Sequence, residues 1–274
     1  MQWDKVKNVL IGILLAVNLF LIGSLGAKLW QSWQRVDELE ANLRTLTAGY
    51  GISLSASFEL PQDKVLPILS LDRSRADEEA VAQAMLGDDA ERTEREDGTV
   101  RFENDAGYVE WRADGGVRAD CRTDAEVPAD EEAALQQARQ LFSAWGLLTG
   151  DTSLEADDTA VTLTGTVAGQ PVHNRTLTLH FGSEGSVEMN GLWSFGTPYT
   201  TVRGSGVSCG AADALLEFAA RAEAGEEIRS MSVGYRLEVD GSRRLQLTPT
   251  WKIVTDLGEY LVDCAKKTII DQEN

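Results

Sequence analysis

The chain has 274 residues, with 25 Lys+Arg against 44 Asp+Glu and a formal net charge of −19. A surface that acidic repels phosphate backbones, which argues against nucleic acid as a partner. Two histidines and three cysteines leave little for metal or thiol chemistry, while 43% apolar residues suffice for a folded core.

The charge is uneven. Residues 1–30 hold Lys5, Lys7 and Lys28 against Asp4, so the remainder carries a net −21. Residues 9–27 read VLIGILLAVNLFLIGSLGA without a charge. At ~1.5 Å per residue a helix of that length spans the ~30 Å hydrocarbon core, with Trp3, Trp30 and Trp33 at the ends. The expectation is one transmembrane helix, with residues 1–8 as a cytoplasmic tip and the rest extracytoplasmic. A cleaved signal peptide with a small-residue site near Gly26 and Ala27 is the competing reading. Gly12, Gly23 and Gly26 are small positions at which a second membrane helix can approach closely.

Residues 28–50 follow as a helical stalk. Leu29, Val36 and Leu43 recur every seven residues, and Leu39 and Leu46 fall three after the last two, an a/d stripe of about two heptads. It serves either a short coiled coil with another anchored helix or packing on its own domain. Gly49 and Gly51 end it.

Three further helices are expected in the outer portion. The first opens on Ser74 with an S-x-x-D cap, turns Ala80, Val81, Ala84 and Met85 inward, and stops at Gly87. The second follows Pro128, turns Leu135, Ala138, Leu141, Phe142 and Trp145 inward, and stops at Gly146. The third runs over 208–225 with Leu215, Phe218, Ala219 and Ala222 inward and Ser208 as its cap. Short alternating segments joined by Gly- and Asp-rich turns follow each helix. In RTLTLHF, Leu177, Leu179 and Phe181 point one way and Thr176, Thr178 and His180 the other. A helix-then-antiparallel-meander unit thus recurs, giving an α+β fold with a first unit over 51–125 and two more within 126–274. The acidic run 87–97 and the cluster Glu155, Asp157 and Asp158 read as solvated loops.

The search for chemistry yields little. Gly206-Val207-Ser208-Cys209-Gly210 matches G-x-S-x-G, but both histidines, His173 and His180, lie upstream, against the order a hydrolase needs. Neither histidine has a spaced metal-binding partner, and the acidic cluster lacks the glycine and terminal glutamate of a calcium loop. Cys121, Cys209 and Cys264 form no CxxC; a reduced, disulfide-free fold is expected, with one bridge and a leftover thiol as the alternative. Asn174-Arg175-Thr176 is a sequon. No catalytic residue, metal or cofactor is expected.

The opening Met1-Gln2-Trp3-Asp4-Lys5-Val6-Lys7 before one span resembles YycI proteins of the YycH/YycI group of Gram-positive bacteria. So do Gly169-Gln170-Pro171-Val172-His173-Asn174, then Gly185, Gly191-Leu192-Trp193 and Gly234-Tyr235. Leu247-Thr248-Pro249-Thr250-Trp251-Lys252-Ile253 and Gly258-Glu259-Tyr260-Leu261-Val262-Asp263 complete the likeness, and the C-terminal strands are also similar to PepSY-like modules. The resemblance implies a membrane-anchored, non-enzymatic regulator of a WalK-like sensor histidine kinase controlling cell-wall metabolism, acting beside a YycH-like protein. Its contacts would run through Gly12, Gly23, Gly26, Leu29, Val36, Leu39, Leu43 and Leu46. A PepSY-like ligand-binding or protease-inhibitory module is the alternative.

Overall fold

The computed structural model describes residues 39–200, 206–239 and 245–270, together with Leu14, Val17, Asn18 and Phe20. Its elements begin with α1 (39–49), β1 (Ser53–Leu54), β2 (Lys64–Pro67) and β3 (Leu69–Leu71). A helix and four strands follow: α2 (Arg75–Leu86), β4 (Glu91–Glu94), β5 (Val100–Asn104), β6 (Gly107–Trp111) and β7 (Gly116–Arg122). The plan repeats in α3 (Glu131–Ala144), β8 (Thr152–Asp157), β9 (Ala160–Val167), β10 (Gln170–Phe181) and β11 (Ser186–Leu192). After the short β12 (Pro198–Tyr199) and β13 (Gly206–Cys209) it returns as α4 (Ala211–Ala219), β14 (Glu227–Val239), β15 (Leu245–Thr255), β16 (Glu259–Asp263) and β17 (Thr268–Ile270). The fold is α+β, and a helix is followed by an antiparallel meander three times.

The first two units fuse. Their last strands, β7 and β11, pair antiparallel from Ser186↔Arg122 to Leu192↔Gly116. This yields the order β4-β5-β6-β7-β11-β10-β9-β8. Period-two alternation lines up one apolar row across seven strands: Phe102, Val109, Ala119, Met189, Leu179, Val161 and Ala156. Helices α2 and α3 cover that face, burying Val81, Met85, Ala138 and Phe142 against it. Each fully buried large side chain contributes about 1.5–3 kcal/mol. The cap read from the sequence is present, Ser74 accepting from the Asp77 N–H at 3.3 Å, and Asp130 caps α3 by accepting from the Ala133 N–H at 2.8 Å.

The third unit keeps its own core. Helix α4 packs Leu215 and Phe218 onto Trp251, Ile253 and Val262, and Leu43 of α1, Ile52 and Phe58 join them. Strand β1 pairs parallel with the start of β14, so the sheet is mixed. Strand β10 links the two bodies: its first half meets β14 in parallel at Val172↔Tyr235, and its second half pairs with β9 and β11.

Several expectations are corrected. Among the described residues no helix is long and apolar enough to cross a membrane. The described part of α1 spans about 16 Å and carries Glu40 and Arg44. The expected single-pass transmembrane helix, the membrane localisation and the membrane-anchored regulation of a sensor kinase therefore lose their structural support. The 9–27 run, with Gly12, Gly23 and Gly26, and likewise Leu29 and Val36, lie outside the described residues, apart from helical Leu14, Val17, Asn18 and Phe20. Of the stripe that is described, Leu43 is buried in the third core while Leu39 and Leu46 are exposed.

Cys209 and Cys264 form a disulfide across 55 positions, with Cα atoms 5.1 Å apart, so the fold is not disulfide-free; Cys121 stays a buried thiol. Ser208 lies within β13, exposed and opposite Val65, and the cap of α4 is Gly210. The Asp63 carboxylate, 148 positions away, accepts from the Ala211 N–H at 2.8 Å instead. Helix α2 is rotated from the expected face: Ala80 and Ala84 are exposed, while Glu78, Ala82 and Leu86 are buried. Glu78 is tolerated inside because Arg73 and Arg75 both hold its carboxylate. The acidic run 87–97 taken for a loop contains β4, and Glu155 and Asp157 lie in β8 with Asp158 in the turn after it; β4 and β8 are the outer edges of the eight-stranded sheet.

Candidate functional site

Three of the motifs quoted above, Gly169–Asn174, Gly234-Tyr235 and Leu247–Ile253, meet at the first half of β10, where the chain passes between the two bodies. Gly234 has no side chain, and a Cβ there would run into the Pro171 carbonyl and the His173 ring. That gap lets the His173 ring lie over β14, its Nε2 3.3 Å from the Thr250 carbonyl on β15. A carbonyl only accepts, so Nε2 carries the proton. Burial, assisted by the Lys252 charge, pushes the His173 pKa down to about 4, so the ring is neutral near pH 7. Asn174 stands in for a strand partner: its side chain donates to the Leu237 carbonyl and accepts from the Leu237 N–H, both at 2.8 Å. These residues hold the junction; none is free for catalysis.

Arg175, next along, is different. The inward parity of Leu177 and Leu179 carries back to it. Its guanidinium lies over the Trp193 ring, 4.3 Å from the centroid, and its stem presses on Gly165, where a Cβ would come within 2.9 Å of Cδ. Its Nε is buried with no hydrogen-bond partner, and no ion pair reaches it among the described residues. Burial lowers its pKa from the ordinary guanidinium value, and the Asp151 charge acts in the opposite direction.

Arg175 lines a cleft of about 500 Å³ between the two bodies. Leu66, Pro67 and Leu69 of the β2–β3 segment form one wall, and Thr166, Val167 and Ala168 of the β9–β10 hairpin the other. Tyr235, 1% exposed, is at its base; burial raises its pKa, so it remains a phenol. Lys64 donates to Gln170 Oε1 at 2.7 Å, joining the two walls. Ala168 and Gly169, at φ +50 and +72, make the tight left-handed turn of the hairpin, an unusual geometry for alanine. Asp151 reaches the cleft on the turn after α3, and the Thr166 N–H donates to its carbonyl at 2.7 Å. Arg175 and Asp151 are the charged residues of the lining, and no ion pair joins them.

This lining holds apolar surface, hydroxyls and one pair of separated opposite charges. It suits recognition better than proton transfer, because it offers no histidine, thiol or carboxylate pair. Among the described residues no group of three or more His, Cys, Asp or Glu is placed to hold a metal. A larger groove of about 740 Å³ crosses the open face of the eight-stranded sheet. Two of its charges are paired from outside the lining: Glu110 with Arg101 at 3.6 Å and Arg112 with Asp114 at 3.7 Å. Sequence reasoning missed Arg175 and Asp151. The parity of RTLTLHF was the available signal for Arg175; Asp151 had none.

No family model matches the chain, and no curated protein matches it. In structure it is distantly similar to the C-terminal domain of Bacillus megaterium YpeB, at 6% identity and TM-score 0.34, covering 75% of this chain and 100% of that one. It is also similar to an uncharacterized protein from Eubacterium rectale, at 10% identity and TM-score 0.49, covering 81% of this chain and 91% of that one. The likeness to YycI that the motifs carry is thus not sharpened into membership of that family.

Proposed function

We propose that this chain is a non-catalytic binding module whose recognition site is the junction cleft. One observation carries the reading: in a chain with 44 acidic residues, the guanidinium of Arg175 is stacked on Trp193 and makes no ion pair among the described residues, in a cleft whose lining is about equally polar and apolar. A buried cation without a partner costs stability, and a ligand that supplies the partner recovers it. The cleft volume falls in the roughly 300–1,000 Å³ range of small-molecule sites.

The test is a fragment screen by amide-resolved NMR on the full chain. Binders are expected to move the resonances of 166–170 and Gly196. Val167→Trp, which fills the cleft from its half-buried wall, is expected to abolish those shifts and leave the fold intact. Fragments that bind but map elsewhere, or the absence of any binder, overturn the reading.

A further inference from the structure

The two charges of the cleft specify more than a shape. Arg175 is pinned by Trp193 and Gly165, so its orientation is set before any ligand arrives. Asp151 is held on a turn anchored to the β9–β10 hairpin. Both line the cleft and, among the described residues, no ion pair joins them, which leaves each open to a ligand group of opposite sign.

The chain as a whole then selects among ligand charges. A net anion approaches against the field of a protein at −19 and meets Asp151 on arrival. A net cation is drawn to the acidic surface everywhere but meets Arg175 in the cleft. A molecule carrying both charges and no net charge is opposed by neither the field nor the site. The apolar walls, Leu66, Leu69 and Val167, ask for an apolar body between the two charged ends.

We infer that the ligand is a zwitterion with an apolar body, a short peptide with free termini, its carboxylate on Arg175 and its ammonium on Asp151. This inference rests on the cleft being the recognition site. No bond is made or broken; the affinity comes from two charge-assisted contacts and the burial of the peptide side chains.

The experiment is calorimetric titration of the full chain with four probes: Leu-Leu, its C-terminal amide, its N-acetyl form, and the doubly capped N-acetyl amide, with free leucine as a fifth to separate peptide from amino acid. Leu-Leu is expected to bind tightest. Each single cap is expected to weaken binding about tenfold or more, since each removes one charged hydrogen-bonding partner. Arg175→Gln is expected to bring acid and amide level, and Asp151→Asn to bring ammonium and acetyl level. Arg175→Lys, which keeps the charge but loses the planar stack, should fall between. If Arg175→Gln does not fold, the probe series on the unaltered chain decides alone. A capped peptide that binds as tightly as the free one overturns the zwitterion while leaving the cleft in place. Free leucine binding tighter than Leu-Leu overturns the assignment to a peptide. If no probe binds and no cleft resonance moves, both readings fall together.

Discussion

The first two helix-plus-meander units and the third follow one plan and are held together differently. Units one and two merge edge to edge through β7 and β11, so that a single apolar face continues under both helices. The open ends of their sheet are β4, whose four residues are all exposed, and β8, whose alternate residues are acidic or polar and exposed. Charged edges of this kind discourage pairing with a further strand. Among the described residues, the third unit joins that sheet only through the first half of β10, at Val172↔Tyr235, and keeps a separate helix-covered core. It closes its core with α1, with Asp63 capping α4 from a distance, and with the Cys209–Cys264 bridge. A four-strand meander with one short helix buries too little by itself, and the two solutions here are fusion and stapling.

The largest expected effect separates these solutions directly. Replacing Cys209 and Cys264 together by alanine frees a 55-residue loop, worth about 4 kcal/mol on the chain-entropy account. Hydrogen exchange should show the loss in α4 and β14–β17, with the fused sheet protected as before; equal loss in both bodies contradicts the division.

Next comes pH. The His173 pKa is depressed to about 4 in the fold, so the unfolded chain takes up its proton first as pH falls. The stability this residue contributes is therefore present above pH ~6.5 and is lost as pH drops towards 4, by about 3 kcal/mol. Denaturant unfolding at pH 7 and pH 4.5 in the native chain and in His173→Gln should show the native chain losing more. Because His173 sits where the two bodies meet, the loss should appear as separation of their melting transitions.

A smaller pair of changes compares the helix caps. Asp130→Ala removes a local cap from α3, and Asp63→Ala a distant one from α4. Each is expected to cost about 1 kcal/mol in thermal unfolding. Only the second should also loosen the β2–β13 ribbon, because Asp63 precedes β2.

The gentlest measurement uses Cys121 as a reporter. Burial, and then the Asp120 charge, push its thiol up to about 11, so the native protein should resist alkylation at pH 8. Labelling should track opening of the fused sheet alone, and fast labelling under conditions where the third unit also stays folded would contradict the burial.

Much of the fold was legible locally. GYVEW and AVTLTGTV are strands as their alternation implies, and Ser74 caps its helix. The edges were not legible: β4 and β8 are rich in acidic residues because they face water on a sheet margin, and that composition is the same as a loop's. The face of α2 was misread because Glu78 looks like surface until Arg73 and Arg75 are brought to it. In the cleft, the alternation that turns Leu177 inward also placed Arg175, but an arginine at such a position reads as exposed until Trp193 and Gly165 are seen against it.

The acidity, the three-fold recurrence of helix and meander, and the poverty of catalytic groups follow from the sequence alone, because composition and short-period patterning are local properties. The pairing of Cys209 with Cys264, the fusion of β7 with β11, and the meeting of Arg175 with Asp151 across one cleft depend on residues far apart in the chain. Only tertiary packing brings such groups together, since distance in space between remote segments is set by which apolar faces bury against each other.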